Sequence, residues 1–263
     1  TTQAGALTET QLGNLTTTTL ANLSTAQLTA LSTTQTQGLT TTQINTLSTA
    51  NLDALDLNEF AYAQVMGLHT TSIANLTTTQ VGTLAATQVA VLSTAQIDAL
   101  TSTEIQAFTT TQANALTATQ LGNLTTTTLN RLSAAQFGAL STTQAQGLTT
   151  TELNALTVAN LDALTVPDLS STQVAGLTTT AITNLTTTQV GALTAEQVGA
   201  MLADQVSALT TTELGALTAV QAGALTSDQI TGLTTTNFAA FSSTTGIPAI
   251  STTAIAGIST QDI

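Results

Sequence analysis

The sequence predicts an all-α solenoid of short capped helical segments, with one segment for each octapeptide. Three observations lead to this prediction. An apolar anchor, usually Leu, recurs every eight residues through most of the chain. A second apolar residue follows five positions later, as Val190 follows Leu185. Between them stands a Thr or Ser with a Gln three residues further on, which is the spacing of a helix capping box.

The octad has the consensus L-[ST]-x-x-Q-φ-x-x, in which φ is usually Val, Ile or Leu. We number its positions from 1 at the anchor to 8. The anchors form three uninterrupted series, over 7–55, 68–164 and 177–241. One continuous α-helix does not suit this period, because eight residues turn it by about 80° beyond two full turns and the Leu stripe would drift around the axis.

The octad that begins at Leu185 shows the expected cap. Thr186 is the N-cap and Gln189 is at N3, while Leu185 and Val190 occupy the two positions of a hydrophobic staple. We therefore expect helices of five or six residues whose Leu and φ side chains face a shared interior, with Thr and Gln capping or facing out. Stacked neighbours must supply most of the stability.

Acidic residues and a proline fit the same helix starts. Pro167 falls at N2, within the first turn where Pro is tolerated. A helix N-terminus attracts negative charge, and acids at N2 or N3 are therefore expected. These acids are Glu104, Glu152, Glu196, Asp204, Glu213 and Asp228.

A longer repeat lies over the octads. Two interruptions of equal length, 55–68 and 164–177, are separated by 109 positions, and their flanking sequences agree. We predict that 1–263 is one continuous solenoid within a longer chain, with irregular junctions at the two interruptions and an irregular end at 242–263.

A β-solenoid is the alternative, because Thr, Val and Ile favour strands. Positions 1 and 6 differ by an odd number, however, so a strand would point the two apolar side chains to opposite faces. Turn-forming Gly and Asn are not fixed in the repeat, and the Gln at position 5 has a role only in a capping box. The helical solenoid is therefore favoured.

Composition excludes several classes of protein. The chain has 14 acidic residues against a single basic one, Arg131, and a net charge of −13, so binding to nucleic acid is not expected. Cysteine is absent, which removes disulfides, thiolate zinc sites and cysteine nucleophiles. No apolar run approaches the roughly 18 residues of a membrane span, so membrane insertion is not expected.

The reactive side chains suggest no enzyme and no cofactor. Tyr62, Met66 and His69 cluster in the first interruption and have the chemistry of haem or metal ligands. The second copy replaces them with residues that lack this chemistry, so packing at the junction is the favoured interpretation. With only one His in the chain, no Ser-His-Asp arrangement recurs with the repeat.

Four acids at the junctions are weak candidates for Ca²⁺ binding, because they persist between the copies as two pairs. These are Asp53, Glu59, Asp162 and Asp168. No EF-hand loop or calcium-binding nonapeptide is present. Helix N-terminal charge and solubility are the favoured explanation of these acids, so no metal is assigned.

Small residues replace φ in a few octads, including Ala4, Ala113 and Ala222, which are each 109 positions apart, and also Thr36 and Ala145. They are interpreted either as variation in core volume or as notches that would receive a neighbouring chain.

Runs such as LTTTQVGALTAEQVGAML at 185–202 resemble the octapeptide arrays of giant bacterial secreted and surface proteins, which are often labelled adhesins or haem-utilisation proteins. The resemblance implies an extracellular or cell-surface scaffold. We therefore expect a structural repeat protein that forms a fibre, sheath or adhesin stalk by association with copies of itself. The alternative is a Thr-rich surface that binds carbohydrate, mineral or ice, with cell-surface glycans among its partners.

Overall fold

The computed structural model describes residues 2–241, 246–256 and 258. These residues form 30 α-helices of four to six residues and three short 3-10 helices, and they contain no β-strand. The predicted all-α fold of short repeated helices is confirmed, and the β-solenoid alternative is wrong. The chain divides into two compact units, Thr1–Ala139 and Leu140–Ile263.

The first unit contains seventeen described α-helices and one 3-10 helix. Helices α1 to α17 span Thr2–Gly5, Glu9–Gly13, Thr17–Ala21, Thr25–Leu28, Thr33–Gln37, Thr41–Asn45, Thr49–Asp53, Tyr62–Met66, Thr70–Ile73, Thr78–Thr83, Ala86–Val89, Thr94–Asp98, Ser102–Gln106, Thr110–Ala113, Ala118–Leu121, Thr126–Leu129 and Ala134–Phe137. The 3-10 helix η1, Leu57–Glu59, lies between α7 and α8.

The second unit contains the remaining described helices. Helices α18 to α30 span Thr142–Gly147, Thr150–Asn154, Val158–Ala163, Ser171–Ala175, Thr179–Thr183, Thr187–Ala192, Ala195–Ala200, Ala203–Ser207, Thr211–Ala216, Ala219–Gly223, Ser227–Thr231, Thr235–Ala239 and Thr252–Ile255. The 3-10 helices η2, Val166–Asp168, and η3, Ile247–Ala249, follow α20 and α29. In the predicted irregular end, 242–245, 257 and 259–263 lie outside the described residues.

Most of the described α-helices start where an extended Thr or Ser meets the helical conformation, and the exceptions have Ala61, His69, Ala85 or Leu202 at the N-cap. In α23 the N-cap Thr186 has φ −74° and ψ 155°, and its side chain accepts a hydrogen bond from the N–H of Gln189. The helix ends as the N–H of Leu193 donates to the carbonyl of Val190 at 3.2 Å. No described residue has a positive φ, so the chain turns through extended residues rather than through left-handed glycines.

Within each unit, successive elements stack in a regular order. Each one packs against the third element along the chain: α2 against α5 and α10 against α13 in the first unit, α21 against α24 and α24 against α27 in the second. The Leu and φ side chains fill the space enclosed by the turns. Each unit is therefore a short helical solenoid, as the octad pattern predicts.

The two junctions are more regular than the sequence indicates. Each consists of a five-residue segment with a 3-10 helix, placed before an ordinary octad. Element η1 packs against α5 and α10, and η2 packs against α18 and α23, so each 3-10 helix takes one helix place in the stack. Pro167 lies at N1 or N2 of η2, in agreement with the prediction. The interruptions thus shorten one side of a coil without breaking the stacking order.

The small residues at position 6 are buried. Ala4, Thr36, Ala113, Ala145 and Ala222 have at most 2% of their surface exposed. A notch that receives a neighbouring chain must be open to solvent, so that interpretation is wrong for these positions. Variation in core volume is the interpretation that fits.

Candidate functional site: the contact between successive coils

The capping box of each octad is the first part of a larger polar contact. In α23 the N–H of Gln189 donates to Thr186 Oγ1 at 3.2 Å, and the N–H of Thr186 donates to Gln189 Oε1 at 3.0 Å. The Thr186 hydroxyl also donates to Gln189 Oε1 at 3.1 Å. The predicted capping box is confirmed, and the cap uses only the oxygen of the Gln amide.

The nitrogen of the same amide joins one coil to the preceding coil. Gln120 Nε2 donates to the carbonyl of Val89 at 3.0 Å and to that of Leu92 at 2.6 Å, 31 and 28 residues earlier. Only 6% of the surface of Gln120 is exposed. The expected capping role of Gln is therefore confirmed, and the expected outward orientation is wrong. Equivalent donations to an earlier coil come from Gln35, Gln43, Gln64, Gln80, Gln88, Gln96, Gln112, Gln136, Gln173, Gln189, Gln197, Gln205, Gln221 and Gln229.

The contact satisfies a carbonyl that the helices leave open. The Leu at position 1 precedes the N-cap, so its carbonyl accepts no bond within a helix. Among the described residues, Gln120 is the donor to the carbonyl of Leu92. A buried carbonyl left without a donor costs about 1–3 kcal/mol. One Gln side chain therefore caps its own helix and donates a hydrogen bond to an open carbonyl of the preceding coil.

The sequence separation between each Gln and the carbonyls to which it donates shows how many octads form one turn of the solenoid. A Gln amide reaches back to the end of the fourth helix before its own and to the Leu that follows it, as Gln43 reaches Leu12 and Leu15. Its helix packs against the third element before it. One coil therefore contains between three and four octads, a quantity that the eight-residue period leaves open.

One octad without a Gln obtains both halves of the contact from other residues. Thr128 stands at N3 of α16. Asp98, in the preceding coil, accepts a hydrogen bond from the N–H of Thr125 at 3.2 Å, as the Gln oxygen does in other octads. Arg131 donates to the carbonyl of Leu100, which lies 28 residues before Thr128 and would otherwise receive a Gln amide. The only Arg in the chain thus replaces a missing amide nitrogen.

Octads at the two junctions use an Asn from the preceding coil. The amide oxygen of Asn45 accepts from the N–H of His69 at 2.8 Å, and its nitrogen donates to the carbonyl of Gly67 at 2.8 Å. In the second copy, Asn154 accepts from the N–H of Thr178 at 2.7 Å. The N-cap N–H is therefore satisfied even where the octad supplies no Gln.

Two of the weak calcium candidates, Glu59 and Asp168, accept hydrogen bonds from Thr hydroxyls. The half-buried Glu59 accepts from Thr33 Oγ1 at 2.9 Å and from Thr36 Oγ1 at 3.3 Å. Asp168, its counterpart in the second copy, accepts from Thr142 Oγ1. Each carboxylate ties a 3-10 helix to the preceding coil, which explains why an acid persists at this place in both copies.

The other candidates from the sequence are solvent-exposed. Asp53 and Asp162 lie on the surface. Tyr62 and Met66 are 53% and 60% exposed, and His69 is exposed beside them, so this cluster is not the packed junction that the sequence indicates. Among the residues that the structure describes, no three His, Asp or Glu side chains come close enough together to hold a metal ion.

The comparisons with known proteins agree with the repeat. The ALTTAQ repeat model matches residues 89–126, 166–202 and 184–211, and these segments are therefore similar to that repeat. No curated protein shows a significant match to the chain. In the described part of the chain, none of the helices has the length and apolar character needed to cross a membrane. The protein is an octapeptide-repeat protein with a repetitive all-helical fold, which fits a structural role rather than a catalytic one.

Proposed function

We propose that this protein is a structural element of an extracellular fibre, sheath or adhesin stalk, and that it works by end-to-end or lateral association with copies of itself. The repeated contact between coils carries the proposal. Because Gln120 and its equivalents make the same bonds octad after octad, the fold is a scaffold extended by repetition. Such contacts suit a protein that acts as an extended scaffold with a large surface.

The surface offers places for lateral contact. The exposed fractions are 53% for Tyr62, 60% for Met66, 50% for Val158, 59% for Leu202 and 73% for Val220. These apolar side chains occur on both units, on a surface with few charged residues of either sign. Exposed apolar groups favour protein–protein contact. The resemblance to giant bacterial surface proteins supports the extracellular or cell-surface location that we propose.

Sedimentation velocity and negative-stain electron microscopy of the purified full chain test the proposal. We expect oligomers that grow with protein concentration, and fibres in the images. Replacement of Tyr62, Met66, Leu202 and Val220 by Thr should weaken lateral association, while replacement of the exposed Thr187 by Ser serves as a surface control. A monomer at every concentration, with no fibres, would contradict the proposal.

Thr-rich surface binding is the second candidate. Thr187 and Thr188 are exposed, and neither side chain takes part in the cap of its octad. Exposed hydroxyls of this kind suit the binding of carbohydrate, mineral or ice. Many of the Thr and Ser hydroxyls at position 2, however, are occupied in caps, which reduces the number available. Glycan arrays and ice-recrystallisation assays distinguish this candidate, since a purely structural chain is inactive in both.

A further inference from the structure

One side of the second unit presents only hydroxyl groups and small side chains to solvent. It is formed by α23, α26 and α29, each of which packs against the next. The exposed residues of these helices are all Thr, Gly or Ala, and none of their side chains is longer than that of Thr. We call them the hydroxyl face, which consists of Thr187, Thr188, Gly191, Ala192, Thr211, Thr212, Gly215, Ala216, Thr235, Thr236 and Ala239.

The Thr hydroxyls of the hydroxyl face are available for a ligand. In α23 the N-cap Thr186 is occupied, because its hydroxyl donates to Gln189 Oε1 at 3.1 Å. The face begins one residue later, at N1 and N2. Among the described residues, none forms a hydrogen bond with the hydroxyls at N1 and N2 of α23, α26 and α29. On another side of the unit the N1 hydroxyl of Ser171 is used, since it donates to Glu196 at 3.3 Å.

The two copies of the long repeat differ least at this face. Each of its six Thr residues has a Thr or Ser 109 positions earlier, and these are Thr78, Thr79, Ser102, Thr103, Thr126 and Thr127. The other helices of the same stretch have exchanged hydroxyls for acidic or apolar side chains at N2. These pairs are Thr87 with Glu196, Thr111 with Val220 and Thr119 with Asp228. Charge therefore varies on the other sides of the solenoid and is absent from both versions of these six positions.

We propose that the hydroxyl face adsorbs to ice. This inference rests on the Thr-rich binding candidate above, and it assigns that candidate one surface and one ligand. Ice presents a flat, uncharged lattice of water molecules that donate and accept hydrogen bonds, and a Thr hydroxyl does both. Ordered water can bridge a hydroxyl to the lattice where the two do not meet directly. Because the stacked helices already hold the Thr residues in rows, little ordering is needed on adsorption.

The composition of the hydroxyl face disfavours the other two ligands of that candidate. Mineral cations such as Ca²⁺ prefer carboxylate oxygens. The acid in these helices, Glu213, is buried, whereas the exposed Glu196 and Asp204 lie on α24 and α25. Small-molecule sites are concave and rich in aromatic side chains. The aromatic residue of α29, Phe238, is buried, so an extended neutral lattice fits this surface better than a sugar does.

Acidic substitutions at N2 test the assignment, because the helices on the other sides already have acids at N2 and a helix N-terminus favours them. The face variant combines Thr188→Glu, Thr212→Glu and Thr236→Glu. We expect the wild-type full chain to inhibit ice recrystallisation and to be enriched in slowly grown ice. The face variant should lose both activities, while circular dichroism shows an unchanged helical spectrum.

The matched control combines Thr172→Glu, Thr180→Glu and Thr253→Glu, at N2 of α21, α22 and α30. It adds the same charge outside the hydroxyl face and should retain the activity of the wild type. Equal ice activity in the two variants, or none in the wild type, would overturn the proposal. Binding to a glycan that the face variant alone loses would assign the face to carbohydrate and overturn ice as the ligand. Sedimentation velocity on the same samples reports self-association separately from either outcome.

Discussion

At the scale of single residues, the side chain at N3 decides how an octad is joined to the coil below it. Gln caps its own helix and donates to the preceding coil, as Gln120 does. Asn51 is shorter, and it donates to the carbonyl of Ala21 at 3.1 Å without completing the capping box. Glu104 completes the box but has no hydrogen to donate. The cap and the contact between coils are thus separable.

This separation predicts the effect of Gln120→Glu. The variant should keep its capping box and lose both donations to the preceding coil, with a carboxylate now facing two carbonyls. We expect the free energy of unfolding to fall by about 2 kcal/mol, from the lost bonds and the unmatched buried charge. Urea denaturation followed by circular dichroism measures the change.

Gln106→Glu is the control for the added charge, because Gln106 is an exposed residue at the end of α13. Its stability should change by less than about 0.5 kcal/mol. Equal losses in the two variants would show that charge, rather than the contact between coils, governs stability at this position.

At the scale of elements, the close approach of neighbouring coils leaves no room for a side chain at some glycines and leaves room at others. A Cβ on Gly176, the C-cap of α21, would lie 2.4 Å from Thr150 Cγ2 and 3.1 Å from its Cβ. A Cβ on Gly191, inside α23, would meet nothing within 4 Å. Both backbones have dihedral angles that alanine adopts, so the contact with the neighbouring coil is what distinguishes the two positions.

Alanine substitutions at these two glycines should have opposite effects. Gly176→Ala is expected to lower the free energy of unfolding by about 1–3 kcal/mol, because a β-branched neighbour must move. Gly191→Ala is expected to raise it by about 0.5–1 kcal/mol, because alanine loses less backbone entropy in a helix. Thermal and urea unfolding of both variants provide the measurement. A stabilised Gly176→Ala protein would disagree with the packing described for this coil.

At the scale of the whole molecule, charge opposes the association that we propose. The chain has 14 acidic residues and one Arg, so copies that approach one another repel. In water without salt this repulsion acts over tens of ångströms, whereas at 0.1 M salt it is screened beyond about 10 Å. Contacts through exposed apolar side chains such as Val220 are short-range and persist under screening.

Self-association should therefore strengthen as salt is added. We expect the mean oligomer size in sedimentation velocity experiments to grow from low to physiological NaCl concentration, at constant pH and protein concentration. Choline chloride at the same ionic strength should act equally, since screening does not depend on the cation. Dissociation of oligomers by salt would instead point to contacts made by ion pairs and would contradict the apolar contacts proposed here.

The sequence by itself determined the local structure. The capping box and staple of an octad such as 185–192 involve residues at most five positions apart, so their spacing specifies where each helix begins. The same pattern identified the buried Leu and φ positions, and the paired interruptions located both junctions.

The tertiary structure decided every contact that a residue makes with the preceding coil. The donations of Gln120 span 28 and 31 residues, and no local spacing indicates which carbonyls they reach. The number of octads in a coil, the burial of Gln, and the bonds by which Asp98 and Arg131 stand in for the Gln that the octad of Thr128 lacks all follow from that stacking. The sequence does not reveal these features, because the geometry of each turn between helices accumulates along the chain. Only the complete coil determines which residues are in contact.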